Sequence, residues 1–109
     1  MAQIKNFHVH VYFQPEQADQ AKALCEKAGA LFPIKVGRFH HKPVGPHPVW
    51  MCQLTVENET FGEFIPWLAL NRNGLVMFIH PDTGEHLKDH TEHAIWMGEV
   101  MTLDLSIFS

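Results

Sequence analysis

Residues 7 to 13, FHVHVYF, alternate so that Phe7, Val9, Val11 and Phe13 fall on one face of a predicted strand and His8, His10 and Tyr12 on the other. Pro15, whose missing N–H costs nothing at a helix start, opens a predicted helix over 15–29. Its stripe is Ala18, Ala21, Leu24, Cys25 and Ala28, and Gly29 is placed to end it. IKVGRFH reads as a second strand, and 42–48, with Pro43, Pro46 and Pro48, as a stiff connector. Alternation returns from Val49 to Val56, with Trp50, Cys52, Leu54 and Val56 on one face of a third strand.

Thr60 and Glu63 have capping-box spacing ahead of Phe64, Ile65, Leu68 and Ala69, while Pro66 must kink this second helix or mark a later start. Asn73-Gly74 stops it. LVMFIH at 75–80 is a fourth strand, apolar on both faces, so that one face meets the helices and the other meets something else, most simply a second subunit. A turn at Asp82 to Gly84, a short helix and a fifth strand in VMTLDLSIF complete the chain. The order is that of an α+β, ferredoxin-like βαββαβ antiparallel sheet with a C-terminal helix and strand extension, spread over one domain at 1–109.

Composition narrows the chemistry. Hydrophobic residues at 46% and charged residues at 18% belong to a folded domain rather than a disordered chain. A net charge of -4 argues against nucleic acid and anionic membrane as partners. No run of about 18 apolar residues exists, and MAQIKNFHVH is too short and polar for a signal peptide, so the expected compartment is the cytoplasm. Cys25 and Cys52 form no CxxC pair and read as buried thiols. The unusual feature is nine histidines, more than the eight lysines and arginines together.

The fold is expected to set strand one between strand three, parallel to it, and strand four, antiparallel to it. His8 and His10, the start of strand three after His47, and His80 at the end of strand four would then share one sheet edge. Strands about 4.8 Å apart, with residues two apart on a strand about 6.7 Å from each other, allow such imidazoles to reach one point. Imidazole suits zinc, copper, iron or nickel, and three or fewer protein ligands leave the open positions that oxygenase chemistry needs. His40 and His41 read as surface residues. His86, His90 and His93 would line one stripe of the short helix, as a rival metal pair, a pH-sensitive surface or an acid or base beside the metal. Trp67 and Trp96 are either walls for a planar substrate or core.

FHVHVYF, PVGPHPVWMCQL, FGEFIPWLALNRNGL and IHPDTGEHLKDHTEHAIWMG together resemble the DOPA 4,5-dioxygenase family, in order and spacing, over nearly the whole chain. The resemblance implies a small, usually dimeric ferredoxin-like protein that opens a catechol ring with dioxygen in the extradiol manner, as in betalain pigment formation from DOPA. The family's histidine pattern falls on His8, His10, His47, His80 and His90. It implies iron(II) held by His10, His47 and His80, with His8 as a fourth ligand or proton-transfer group and His90 as acid or base. Arg72, just past LALN, reads as a holder of a substrate carboxylate or as a cation that stabilises the dipole at the helix C-terminus, and Trp67 as a substrate wall in the first of its two readings.

No acidic residue falls on the predicted strand ends, so a two-histidine, one-carboxylate site would have to draw on Glu63, Glu85, Asp89 or Glu92. An all-histidine site is the other option, and zinc would suit it as purified. Two further readings stay open on the residues alone: a non-catalytic dimeric module, and a metal-binding protein without oxygen chemistry.

Overall fold

In the computed structural model, which describes residues 3–108, the alternating segment forms β1 (Phe7–Phe13) at the centre of a five-stranded sheet. A single 3-10 turn at Pro15–Gln17 leads into α1 (Ala18–Leu31), followed by β2 (Lys35–His40) and β3 (Trp50–Val56). α2 (Asn58–Asn71), β4 (Val76–Pro81), the short α3 (His86–Asp89) and β5 (Ile95–Met97) follow, and a 3-10 turn at Leu105–Phe108 closes the described chain. The strand order is β2-β3-β1-β4-β5. Among the described residues no helix is long and apolar enough to cross a membrane.

Both long helices cover one face. Ala21, Leu24, Cys25 and Ala28 of α1 and Phe64 and Leu68 of α2 bury against Val9, Val11, Leu54 and Ile79 of the sheet. Gly29 does not end α1, which continues to Leu31. A Cβ there would stand 2.8 Å from Val36 Cγ2, so the missing side chain lets the helix lie close to β2. α2 starts at Asn58, before Thr60, and runs through Pro66 rather than beginning after it. The turn after α2 uses Asn73 at φ 50° and Gly74 at φ 82°, positive values that these two residues adopt most readily.

Three expectations are corrected. β3 runs antiparallel to β1, with Phe7 opposite Val56 and Phe13 opposite Trp50, so the start of β3 lies beside the end of β1. The fifth strand is Ile95–Met97, paired to β4 from Met77↔Met97 to Ile79↔Ile95, and not the segment 100–108. That segment lies as a cover over the second face of the sheet. There, Tyr12, Met51 and Phe78 form a small core packed by Val44 and Val49 of the 41–49 loop and by Met101 and Leu103 of the tail. The apolar second face of β4 is thus met by this chain's own loop and tail, and its pattern requires no second subunit.

Candidate metal centre

The covered second face carries the histidines. In the β1–β4 register His8 lies opposite His80, and His10 lies opposite Phe78, which puts His10 and His80 in the diagonal relation whose side chains still reach each other. Their Nε2 atoms face each other at 3.1 Å. His8 completes the group, its ring centre 5.1 Å from that of His80 and 6.1 Å from that of His10. One nitrogen from each of His8, His10 and His80 falls within 4.8 Å of the others.

Two more imidazoles arrive from outside the strands. The 41–49 loop turns at Val44, whose carbonyl accepts from the His47 backbone N–H at 3.0 Å, and folds back over the sheet. That fold, rather than a shared strand end, brings the His47 ring 4.1 Å from His10 and its Nδ1 2.6 Å from the Tyr12 hydroxyl. His90 follows α3, and its ring stands 4.1 Å from His80 and 4.6 Å from Phe108. Phe78 lies beneath the group, 5.6 Å from His10, 6.1 Å from His47 and 5.8 Å from His90.

Hydrogen bonds sort the rings. His80 Nδ1 lies 2.8 Å from the Pro81 carbonyl and His90 Nδ1 2.7 Å from the His86 carbonyl. A carbonyl only accepts, so both rings carry their proton on Nδ1 and leave Nε2 as a bare lone pair when neutral. Burial drives the neutral form throughout. It pushes His47 down to about 3 and His80 down to about 4, and it holds His8 and His90 below the usual imidazole range. His10 lies well below that range through burial and the neighbouring His47, His80 and His8. Neutral imidazole is the form that binds metals.

A metal fits these residues. Two nitrogens bound to one ion at about 2.1 Å each stand about 3.0–3.4 Å apart, which brackets the 3.1 Å between His10 and His80. His10 Nδ1 is sealed from solvent with no hydrogen-bond partner, so the ring's polar contact among the described residues is the one its Nε2 makes with His80. Among the described residues no carboxylate joins the three-imidazole group. Asp89 comes nearest to a buried carboxylate, yet both its oxygens are engaged. They accept from the Thr83 N–H and hydroxyl, each at 2.7 Å, and from His93 Nδ1 at 3.0 Å. Burial raises its carboxyl pKa, but the Thr83 and His93 bonds outweigh that and hold it below the usual carboxylate value. Glu63 and Glu92 are exposed, and Glu85 pairs with Lys88 at 3.6 Å.

Of the other sequence-predicted residues, Trp67 and Arg72 are engaged elsewhere. Trp67 packs on Phe32 and Phe64, with ring centres 5.4 and 5.9 Å away, in the core beneath the helices on the opposite sheet face. Arg72 donates to the Leu75 carbonyl at 3.0 Å. The expected stripe of His86, His90 and His93 is split, because α3 is only four residues long. His90 turns to the imidazoles, His93 to Asp89 and His86 toward Phe108. His41 is exposed beside Trp50 and His40 is half-buried at the end of β2. Trp96, 4.6 Å from Phe78, is on the histidine side. Sequence reasoning gave Tyr12 and Phe78 no role, although the alternation of β1 had set Tyr12 on the histidine face.

The family model for the Dopa 4,5-dioxygenase family matches residues 7–107. The chain belongs to that family. This Dopa 4,5-dioxygenase family member is 47% identical to an uncharacterized 21.2 kDa protein of Botryotinia fuckeliana, a match spanning 93% of this chain and 62% of that protein. It is 32% identical to the DOPA 4,5-dioxygenase of Amanita muscaria over 96% of this chain and 50% of that enzyme. The chain therefore spans about half to three-fifths of the length of the curated relatives it matches. A Nostoc punctiforme protein described as a candidate dioxygenase has a crystal structure that superposes with a TM-score of 0.92. It is 40% identical, with 94% of this chain and 90% of that one covered.

Proposed function

We propose that this family member is a metal-dependent dioxygenase that opens the ring of a catechol such as DOPA with dioxygen, in the extradiol manner. The observation that carries the reading is the convergence of His8, His10 and His80, whose nitrogens lie within 4.8 Å of one another on a covered sheet face. His8 takes the ligand place that the sequence had given to His47, because His8 and not His47 completes the close group. When bound, iron(II) supplies a Lewis acid for paired catechol oxygens and the one-electron chemistry that lets dioxygen react with a closed-shell ring.

The chain's own groups then manage protons and water. The bare Nε2 of His90, its ring oriented by the His86 carbonyl, is positioned to accept the proton a catechol hydroxyl releases on binding. Because burial keeps this imidazole neutral at pH 7, that nitrogen is available as a base. A hollow of about 230 Å³ opens against His90, and Ala94, Trp96, Met101, Leu103 and Leu105, together with Thr91 and Thr102, give it a largely apolar lining that suits a flat ring. The reaction balances without an added reductant: both oxygen atoms of dioxygen enter the product, and the bond beside the diol breaks to give one carboxylic acid and one aldehyde.

The test is anaerobic loading with iron(II), followed by air and a panel of catechols. A ring-opened aldehyde acid gives a new visible absorption band, together with oxygen consumption equal to the catechol lost. Protein at full iron occupancy that turns over no catechol, and consumes no oxygen, overturns the reading.

A further inference from the structure

The ring of His47 is the member of the cluster whose hydrogen bonding differs in kind from the others. His80 and His90 each donate from Nδ1 to a carbonyl and turn a lone pair inward. His47 Nδ1 instead meets a phenol, at 2.6 Å, across 35 residues of chain. Tyr12 is 1% exposed, so its hydroxyl hydrogen needs an acceptor inside the protein, and His47 Nδ1 is its one hydrogen-bond partner among the described residues. Were His47 to donate from Nδ1 to the phenol oxygen, the phenolic hydrogen would be left buried with nothing to accept it. Satisfying both groups requires Tyr12 to donate, which leaves Nδ1 as acceptor and puts the ring proton on Nε2. Burial raises the phenol's pKa, so Tyr12 keeps the proton it donates.

We propose that His47 serves this site as a hydrogen-bond donor from Nε2 to a negatively charged substrate oxygen, not as a metal ligand, and that Tyr12 is the positioning residue that fixes it in that form. The inference rests on reading the imidazole cluster as the place where an oxygen-bearing substrate meets a metal. His47 Nε2 has no partner within the described residues and is not among the polar atoms sealed without one, so it is open to such an oxygen. A ring with its proton on Nε2 has no lone pair there for an ion, and its other nitrogen is occupied by Tyr12. Two neutral roles are thereby separated on one face: lone pairs from His80 and His90, an N–H from His47.

The tautomer is read first, by long-range proton–nitrogen NMR on histidine-labelled, metal-free protein at neutral pH. Wild type is expected to show His47 with its proton on Nε2, and Tyr12→Phe to show a mixture of both tautomers. A wild-type ring protonated on Nδ1 overturns the proposal, as does a Tyr12→Phe spectrum identical to wild type. His47→Gln, which keeps an N–H near the Nε2 position, and His47→Leu, which does not, keep the question open to test should Tyr12→Phe fail to fold. Both are expected to bind zinc at the wild-type stoichiometry. With iron(II) and a catechol, His47→Leu should lose about a hundredfold in kcat, the usual effect of removing one oxyanion donor, and His47→Gln should recover a large part of it. Loss of the bound ion in both variants would make His47 a ligand and sink the assignment. Because the tautomer and the zinc stoichiometry are measured without turnover, they decide the roles of Tyr12 and His47 whatever the catechol assay shows.

Discussion

Replacing His8 by alanine isolates the metal from the fold. The ring is half-buried, makes no hydrogen bond with the described residues and sits at the rim of the cluster, so its loss should change the metal-free protein by no more than about 0.5 kcal/mol. The effect on a bound ion is much larger. Free zinc at one hundred times its dissociation constant stabilises a protein that binds it only when folded by about 2.7 kcal/mol. An unfolding entropy of about 2.1 cal/mol/K per residue over 109 residues turns that into a rise in melting temperature of about 12 °C. With one of three ligands removed, even a hundredfold loss of affinity leaves the same zinc concentration near the new dissociation constant. The gain shrinks to about 0.4 kcal/mol, or about 2 °C. These are upper figures, since an unfolded chain with nine histidines also binds zinc and offsets part of the gain. The assay is a pair of thermal melts, with and without zinc, for wild type and His8→Ala at pH 7. An equal shift in both proteins, or none in wild type, would refute the assignment of His8, His10 and His80 as the ion's ligands.

Acid should destabilise the metal-free protein over a window set by the same rings. Unfolded imidazoles take up protons below about pH 6.5, whereas folded His80 and His47 stay neutral down to about 4 and about 3, so the unfolded state binds more protons and stability rises with pH across that interval. The His80 displacement alone amounts to roughly 3 kcal/mol once fully developed, and urea midpoints that stay flat from pH 7 to pH 4 would contradict it. Asp89→Ala should cost about 2–4 kcal/mol, because it strips the Thr83 N–H and hydroxyl of a buried charged acceptor. The same variant should speed hydrogen exchange at His90, which α3 carries into the site. A change below 0.5 kcal/mol with exchange unaltered would show that Asp89 does not hold α3 in place.

Legibility in the sequence followed how local each feature is. The period-two pattern of β1 and β3 and the helical stripe of α1 are set by neighbours in the chain, and they stand where the pattern put them. Direction is another matter. Alternation reads the same both ways along a strand, so the pattern of β3 could not show that it runs antiparallel to β1, which follows from the return through the 41–49 loop. His47 reached the cluster for a reason different from the one that had singled it out. The tail has the inward–outward alternation of a strand at Met101 and Leu103, but its backbone bonds to the loop, Asp104 N–H to the Pro46 carbonyl at 2.9 Å, and not to a ladder. β5 is three residues long, too short to leave a period. Spacing offered His90 only as one of three helix histidines beside the metal, and the family resemblance singled it out, since its place depends on how α3 folds back; the Tyr12 bond to His47 depends on two segments meeting across the sheet.

The second face of the sheet also shows what the histidines do to the fold. Around them the positions are apolar, as a covered face demands: Phe78, Met51, Val49 and Trp96. Phenylalanine or leucine at His10 and His80 would complete that core without an unsatisfied nitrogen and without the loss of stability in acid. Burial beneath the loop and tail keeps the rings neutral, which is what an ion needs, and the same burial leaves His10 Nδ1 without a partner, which works against the empty fold. An ion held at the Nε2 atoms would leave His10 Nδ1 as it is, but its binding energy would count toward the folded state and offset that cost. The loop and tail therefore belong to the site as much as the strands do. They supply His47 and the walls beside His90, and by excluding water they set the protonation state on which the chemistry of all five rings depends.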